Sequence, residues 1–112
     1  AGLATVMAGS SAPTRETPHG ASDSLVSIAG HEISIRELRG GPLGVQLFPA
    51  AQQLLDRLVE LRDWHGVSVV ELGAGTGAVS IGLAKLGAKV YATDFDSPTL
   101  ENLQFNVDRN SV

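Results

Sequence analysis

The chain has 112 residues, 43% of them hydrophobic and 18% charged, the proportions of one ordinary globular domain at most. Its net charge of −4, without any stripe of Lys and Arg, argues against non-specific nucleic-acid binding, which needs clustered cations to displace counterions. The absence of cysteine excludes a disulfide framework, a thiolate metal site and a Cys nucleophile, and no apolar run approaches the ~20 residues that span a bilayer.

Taken in order, the chain begins at Ala1 rather than Met, which suggests a start inside a longer reading frame or after processing. The apolar patch over residues 3–8 has no basic region before it, a poor match to a signal peptide. Residues 1–23 are rich in Ala, Gly, Ser, Thr and Pro, with few large apolar side chains to offset the entropy of ordering, and a disordered tail is expected there. Between residues 25 and 38, Ile33 and Ile35 alternate around Ser34, and Gly30 supplies a turn, so a β-hairpin is predicted. A lone hairpin is marginal in water and must lean on something that follows.

The breakers Gly40-Gly41-Pro42 and Gly44 predict a loop. Pro49 suits the first turn of a helix, and Ala51, Leu54, Leu55, Leu58, Val59 and Leu61 recur at helical spacing as far as Trp64, with Gly66 as the breaker. That helix is expected to cover one face of a sheet. Val67, Val69, Val70 and Leu72 then form a short apolar strand of the kind that helices cover on both sides. The turn Gly73-Ala74-Gly75-Thr76-Gly77 follows, where glycines let backbone approach a ligand, and a helix is predicted over residues 76–86 with Val79, Leu83 and Leu86 on one face. Val90, Tyr91 and Ala92 make a second strand ending on Asp94, a short acid placed to accept hydrogen bonds from both hydroxyls of a ribose. Ser97 reads as an N-cap with Pro98 as the first helical residue, and Leu100, Leu103 and Val107 continue at helical spacing, with Phe105 a further candidate for the buried side.

Two ligand classes fit this β-α-β unit. The string from Gly73 to Ala78 satisfies the dinucleotide fingerprint G-x-G-x-x-[GA], and Asp94 follows Gly73 by 21 residues, close to the ~20 of NAD-binding proteins, so an NAD(P)-binding oxidoreductase is one reading. The other starts from Glu71: E-L-G-A-G-T-G resembles the first motif of class I, seven-strand methyltransferases that use S-adenosylmethionine. The resemblance extends over residues 44–110, through the acid-ended strand and the asparagine-containing helix, and outweighs the dehydrogenase reading. The segment GVQLFPAA, residues 44–51, is similar to that before the first motif in the small protein-lysine methyltransferases, where an aromatic residue contacts the cofactor; Phe48 stands where that branch usually has Trp. The hairpin and Asn106 also resemble features of that branch.

The resemblance implies a partial Rossmann-like α/β methyltransferase fold, ordered as hairpin, helix, then β-α-β-α with an incomplete sheet, and S-adenosyl-L-methionine as cofactor. It implies that Gly73, Ala74 and Gly75 form the turn over the methionine and ribose, that Asp94 holds the ribose hydroxyls, and that Glu71 fixes the turn or reaches the methionine amine. Phe48 contacts the cofactor in this scheme. Acceptor-side residues follow the fourth strand in the family, so no catalytic residue is named. The implied partner is a protein substrate presenting a lysine, with neither nucleic acid nor membrane and with oligomeric state open, in the cytoplasm or the nucleus.

Plainer readings stand beside these. Glu71 could simply bond loop amides, packing in the core or at the helix start is favoured for Phe48 over a cofactor contact, and Asp96 and Asn106 read as helix-end or surface residues. His19, His31 and His65 show no metal-ligand spacing and no metal site is expected. A non-catalytic nucleotide-binding or interaction module is a third reading. Residues 24–112 are read as the N-terminal, cofactor-binding portion of a longer domain, one expected neither to fold robustly nor to transfer methyl groups alone.

Overall fold

The computed structural model describes residues 3–7 and 20–112. Its elements are β1 (Leu3–Met7), β2 (Ala21–Ile28), β3 (His31–Leu38), α1 (Pro49–Leu61), β4 (Ser68–Leu72), α2 (Ala78–Lys85), β5 (Lys89–Asp94) and α3 (Ser97–Arg109), with one 3₁₀ turn at Leu43–Val45. Strands β1, β5 and β4 form a parallel sheet in that order, with Val69 opposite Val90 and Leu72 opposite Thr93, while β2 and β3 form a separate antiparallel pair. The β4-α2-β5 crossover is the α/β, Rossmann-like unit expected from the glycine turn and the acid-ended strand. None of the described helices is long and apolar enough to cross a membrane.

Most of the tail expected over residues 1–23 lies outside the described residues, but at both ends the structure differs from a disordered tail. Leu3–Met7 pair in parallel with β5, Leu3 opposite Val90 and Met7 opposite Asp94, and β2 already begins at Ala21. The outer edge of β5 offers a row of N–H and C=O groups, and a short apolar segment satisfies them without needing a core of its own.

Helix α2 is central. Ile81 is buried with Leu103 of α3, Leu55 of α1 and the hairpin side chains Ile33 and Ile35, while Leu83 packs in a second cluster with Ala88 and Val90; burying each large apolar side chain contributes about 1.5–3 kcal/mol. Gly82 lets α1 approach closely, since a Cβ there would lie 2.6 Å from Leu55 Cδ2. Consequently α1 packs chiefly on α2 and β2, not across the sheet as the periodicity implied. The tertiary packing also alters the expected burial of the strands. Val90 and Ala92 face the helices and are buried, but Val70, Leu72 and Tyr91 on the opposite face are 64%, 82% and 48% exposed, so the described elements cover the sheet on one side rather than both.

Helix ends follow local chemistry. Gly87, at φ 90°, ends α2 in a Schellman motif, with Gly87 N–H donating to Ala84 O and Ala88 N–H to Leu83 O. Trp64 closes α1 by donating its indole N–H to Leu58 O at 2.7 Å. The cap of α3 is Asp96, not Ser97: its Oδ2 accepts from Thr99 N–H at 3.0 Å and Thr99 Oγ1 at 2.7 Å, and Pro98 sits one place further inside, where a missing N–H still costs nothing. Phe105 is 41% exposed rather than buried, with the Arg36 guanidinium 3.6 Å above its ring.

Both outer edges of the hairpin are closed by side-chain amides standing in for missing strands. Gln52 of α1 exchanges two hydrogen bonds with the Ser27 backbone, at 2.9 and 2.8 Å. On the other edge, Asn110 does the same with Ser34 and Asn106 with Arg36, while Asn102 donates to Arg36 O. The tight turn between the strands has Ala29 at φ 45° and Gly30 at φ 83°, both in the left-handed region. Gly30 adopts this freely, whereas Ala29 is strained. Ala29→Asn, which suits the first position of such a turn, is expected to stabilise the fold by about 0.5–1 kcal/mol, read from the urea midpoint.

Candidate functional site

At the carboxyl end of β4 the chain turns through Gly73, Gly75 and Gly77, all at positive φ, and enters α2. The turn is tied to the neighbouring strand: Ala74 N–H donates to Thr93 O at 2.8 Å, and Gly75 N–H to Asp94 Oδ2 at 3.0 Å. The other Asp94 oxygen accepts from Phe95 N–H at 2.8 Å and from Asp96 N–H at 3.3 Å. One carboxylate thus links the glycine turn to the turn that begins α3.

Glu71 points to the helix side of β4, where the fully buried Ser80 donates its hydroxyl to Glu71 Oε2. Burial pushes the Glu71 carboxyl above the ordinary range; Ser80 opposes this and the nearby Asp94 charge adds to it. Its backbone carbonyl accepts the Thr93 hydroxyl at 2.7 Å, a further tie between β4 and β5. Ser80 is not legible in the sequence, because a serine inside a helix carries no signal of the acid it meets on a neighbouring strand.

A cavity of about 330 Å³ lies between the glycine turn and the segment before α1. Phe48, Glu71, Gly73, Ala74, Gly75 and Asp94, the six candidates from the sequence, all line it. Phe48 is half exposed at this wall, so packing in the core is not its role. Asp96 caps α3, and Asn106, read as a helix-end or surface residue, is fully buried. His31 and His65 are exposed, and no group of potential metal ligands occurs among the described residues.

The wall opposite the glycine turn was not legible from the breakers that marked it as loop. Leu43, Gly44, Gln46 and Leu47 also line the cavity. Gly44 sits where a Cβ would fall 2.6 Å from Thr99 Oγ1, and its carbonyl lies 3.2 Å from where a Cβ on Gly75 would project. Gly44 is thus required by the Thr99 side chain of α3, while Gly75, at φ 59°, lies in tight contact with the Gly44 carbonyl.

Residues 27–112 match the family described as lysine methyltransferase. The chain belongs to the lysine methyltransferase family. Among its curated relatives, the chain is 42% identical to the mouse (Mus musculus) protein-lysine methyltransferase METTL21E over 86 residues, which are 74% of this chain and 34% of that protein. It is 43% identical to the mouse EEF1A lysine methyltransferase 3 over 84 residues, 72% of this chain and 36% of the relative. This member therefore spans about a third of the length of the curated relatives it matches. Among solved structures, a T. Thermophilus 16S rRNA methyltransferase in complex with AdoMet and guanosine superposes with a TM-score of 0.71 at 29% identity, covering 92% of this chain and 28% of that one. The expected Rossmann-like methyltransferase architecture is therefore present in this family member, with small sheets.

Proposed function

We propose that this chain carries the cofactor-binding half of an S-adenosylmethionine-dependent protein-lysine methyltransferase. The observation that carries the reading is the charge of the cavity: among the described residues two carboxylates, Glu71 and Asp94, line it, and no Lys or Arg does. Such a lining fits an adenosyl sulfonium bearing a cationic amine and a ribose diol. It is a poor match to a dinucleotide, whose pyrophosphate would face like charge.

In this reading Asp94 accepts a ribose hydroxyl on Oδ2, which takes only one backbone N–H, Glu71 attracts the methionine amine, and the glycine turn brings main chain against the ligand without side chains between them. Phe48 shields the apolar side. When bound, S-adenosylmethionine supplies a methyl group already activated on sulfur for in-line displacement by a neutral amine. The residues of this chain contribute placement and exclusion of water rather than acid-base chemistry. A lysine acceptor, with an ordinary pKa of ~10.4, must shed its proton before attack. The protein-lysine methyltransferases among the relatives support a protein substrate.

The test is calorimetric titration of the full-length protein with S-adenosylhomocysteine, in competition with NADH. Saturable binding that NADH does not displace is expected. Displacement by NADH would favour the oxidoreductase reading, and binding of neither a non-catalytic module. Transfer of a labelled methyl group from S-adenosylmethionine to protein lysine then tests the acceptor class.

A further inference from the structure

The structure also links the cavity to the hairpin that lies outside it. We propose that β3 is the frame on which both walls of the cavity are set, with Glu37 and Asn106 as positioning residues; this rests on the cofactor reading above. Glu37 holds one wall. Its Oε1 accepts Leu47 N–H at 2.6 Å and its Oε2 accepts the Ser24 hydroxyl at 2.7 Å, so the segment carrying Leu47 and Phe48 is bound to the hairpin rather than left as a free loop.

Asn106 holds the other. Fully buried in α3, its Oδ1 accepts Arg36 N–H at 2.8 Å, and its Nδ2 donates to Arg36 O at 3.2 Å and to Thr76 O at 2.9 Å. Thr76 belongs to the glycine turn and lines the cavity. One side-chain amide thus joins strand edge to cofactor loop. Arg36 and Glu37 are consecutive, so the two walls are anchored on a single dipeptide: main chain of Arg36 to one side, side chain of Glu37 to the other.

The site requires one acceptor and two donors from a single short side chain. Leucine in place of Asn106 would leave Arg36 N–H and Thr76 O without partners, and aspartate has no donor to give. Asn110 is the internal control, because its amide bonds Ser34 and Asn106 O but nothing in the glycine turn.

The experiment measures S-adenosylhomocysteine affinity of the full-length protein, with amide hydrogen exchange over residues 74–79 as a second readout. Glu37→Ala is expected to weaken binding about tenfold, and Glu37→Gln, which keeps an oxygen for Leu47 N–H, to restore most of it. Asn106→Asp is expected to weaken binding about tenfold and to accelerate exchange in the glycine turn. Asn110→Ala should lower thermal stability at unchanged affinity. Should Asn106→Asp fail to fold, the Glu37 pair decides alone. Unchanged affinity in Glu37→Ala and Asn106→Asp, or an equal loss in Asn110→Ala, overturns the proposal while Asp94→Ala still abolishes binding. If Asp94→Ala leaves binding intact, the cofactor reading itself falls.

Discussion

Replacing Asp94 by alanine is expected to lower the affinity of the full-length protein for S-adenosylhomocysteine by about a hundredfold or more, read by calorimetry. A hydrogen bond from a ribose hydroxyl to the carboxylate contributes about 1.5–3 kcal/mol, and 1.4 kcal/mol is a factor of ten in affinity. The loss has a second component, because the same carboxylate receives Gly75 N–H on one oxygen and Phe95 and Asp96 N–H on the other. Asparagine is therefore no conservative replacement. Its single oxygen can face one set of donors, and its amide must then meet the other set donor to donor. Asp94→Asn is expected to lose nearly as much affinity as Asp94→Ala, a result that a mere strand-end solvated carboxylate would not produce.

Gly77→Ala is the substitution with the largest expected effect on folding, lowering the free energy of unfolding by about 2–5 kcal/mol. At φ 90° an L side chain is strained, and the added Cβ would lie 2.2 Å from Leu103 Cδ1. Leu103 is fully buried and has nowhere to retreat without displacing Ile81, itself fully buried. Since domains are stable by only ~5–15 kcal/mol, such a change removes a large share of the total. Gly66→Ala provides the comparison: φ is 73° but nothing lies within 4 Å of its Cβ, so only the backbone strain, about 1–2 kcal/mol, is expected. Equal urea midpoints for the two variants would refute the steric account.

The six cavity residues named from the sequence lie within short, local signals: a glycine turn after an apolar strand, an acid at the next strand tip, an aromatic residue just before a proline-led helix. Their meeting around one cavity needs only the β-α-β crossover that those signals specify. Residues that act across long separations were not legible. Asn106 reads locally as one polar residue among several on α3, and nothing within a turn of it reveals that its partners are Arg36 and Thr76, 70 and 30 residues away. Ser80 was hidden for the same reason, and Gly44 because a loop-breaking glycine and a close-contact glycine look alike.

By itself, the sequence determined the hairpin, the three helices and the strands β4 and β5, though not β1 or the full length of β2, together with the bend at Gly73 to Gly77 and the acid at the end of β5, because backbone propensity, periodicity and turn chemistry act between near neighbours. Only the tertiary structure decided which faces are covered. It drew α1 onto α2 and β2, placed β1 on the edge of β5, left Val70, Leu72 and Tyr91 on an open sheet face, and turned the asparagines of α3 into the missing neighbour of β3. Those choices depend on which surfaces meet when elements pack, and burial is a property of the pair rather than of either sequence segment alone.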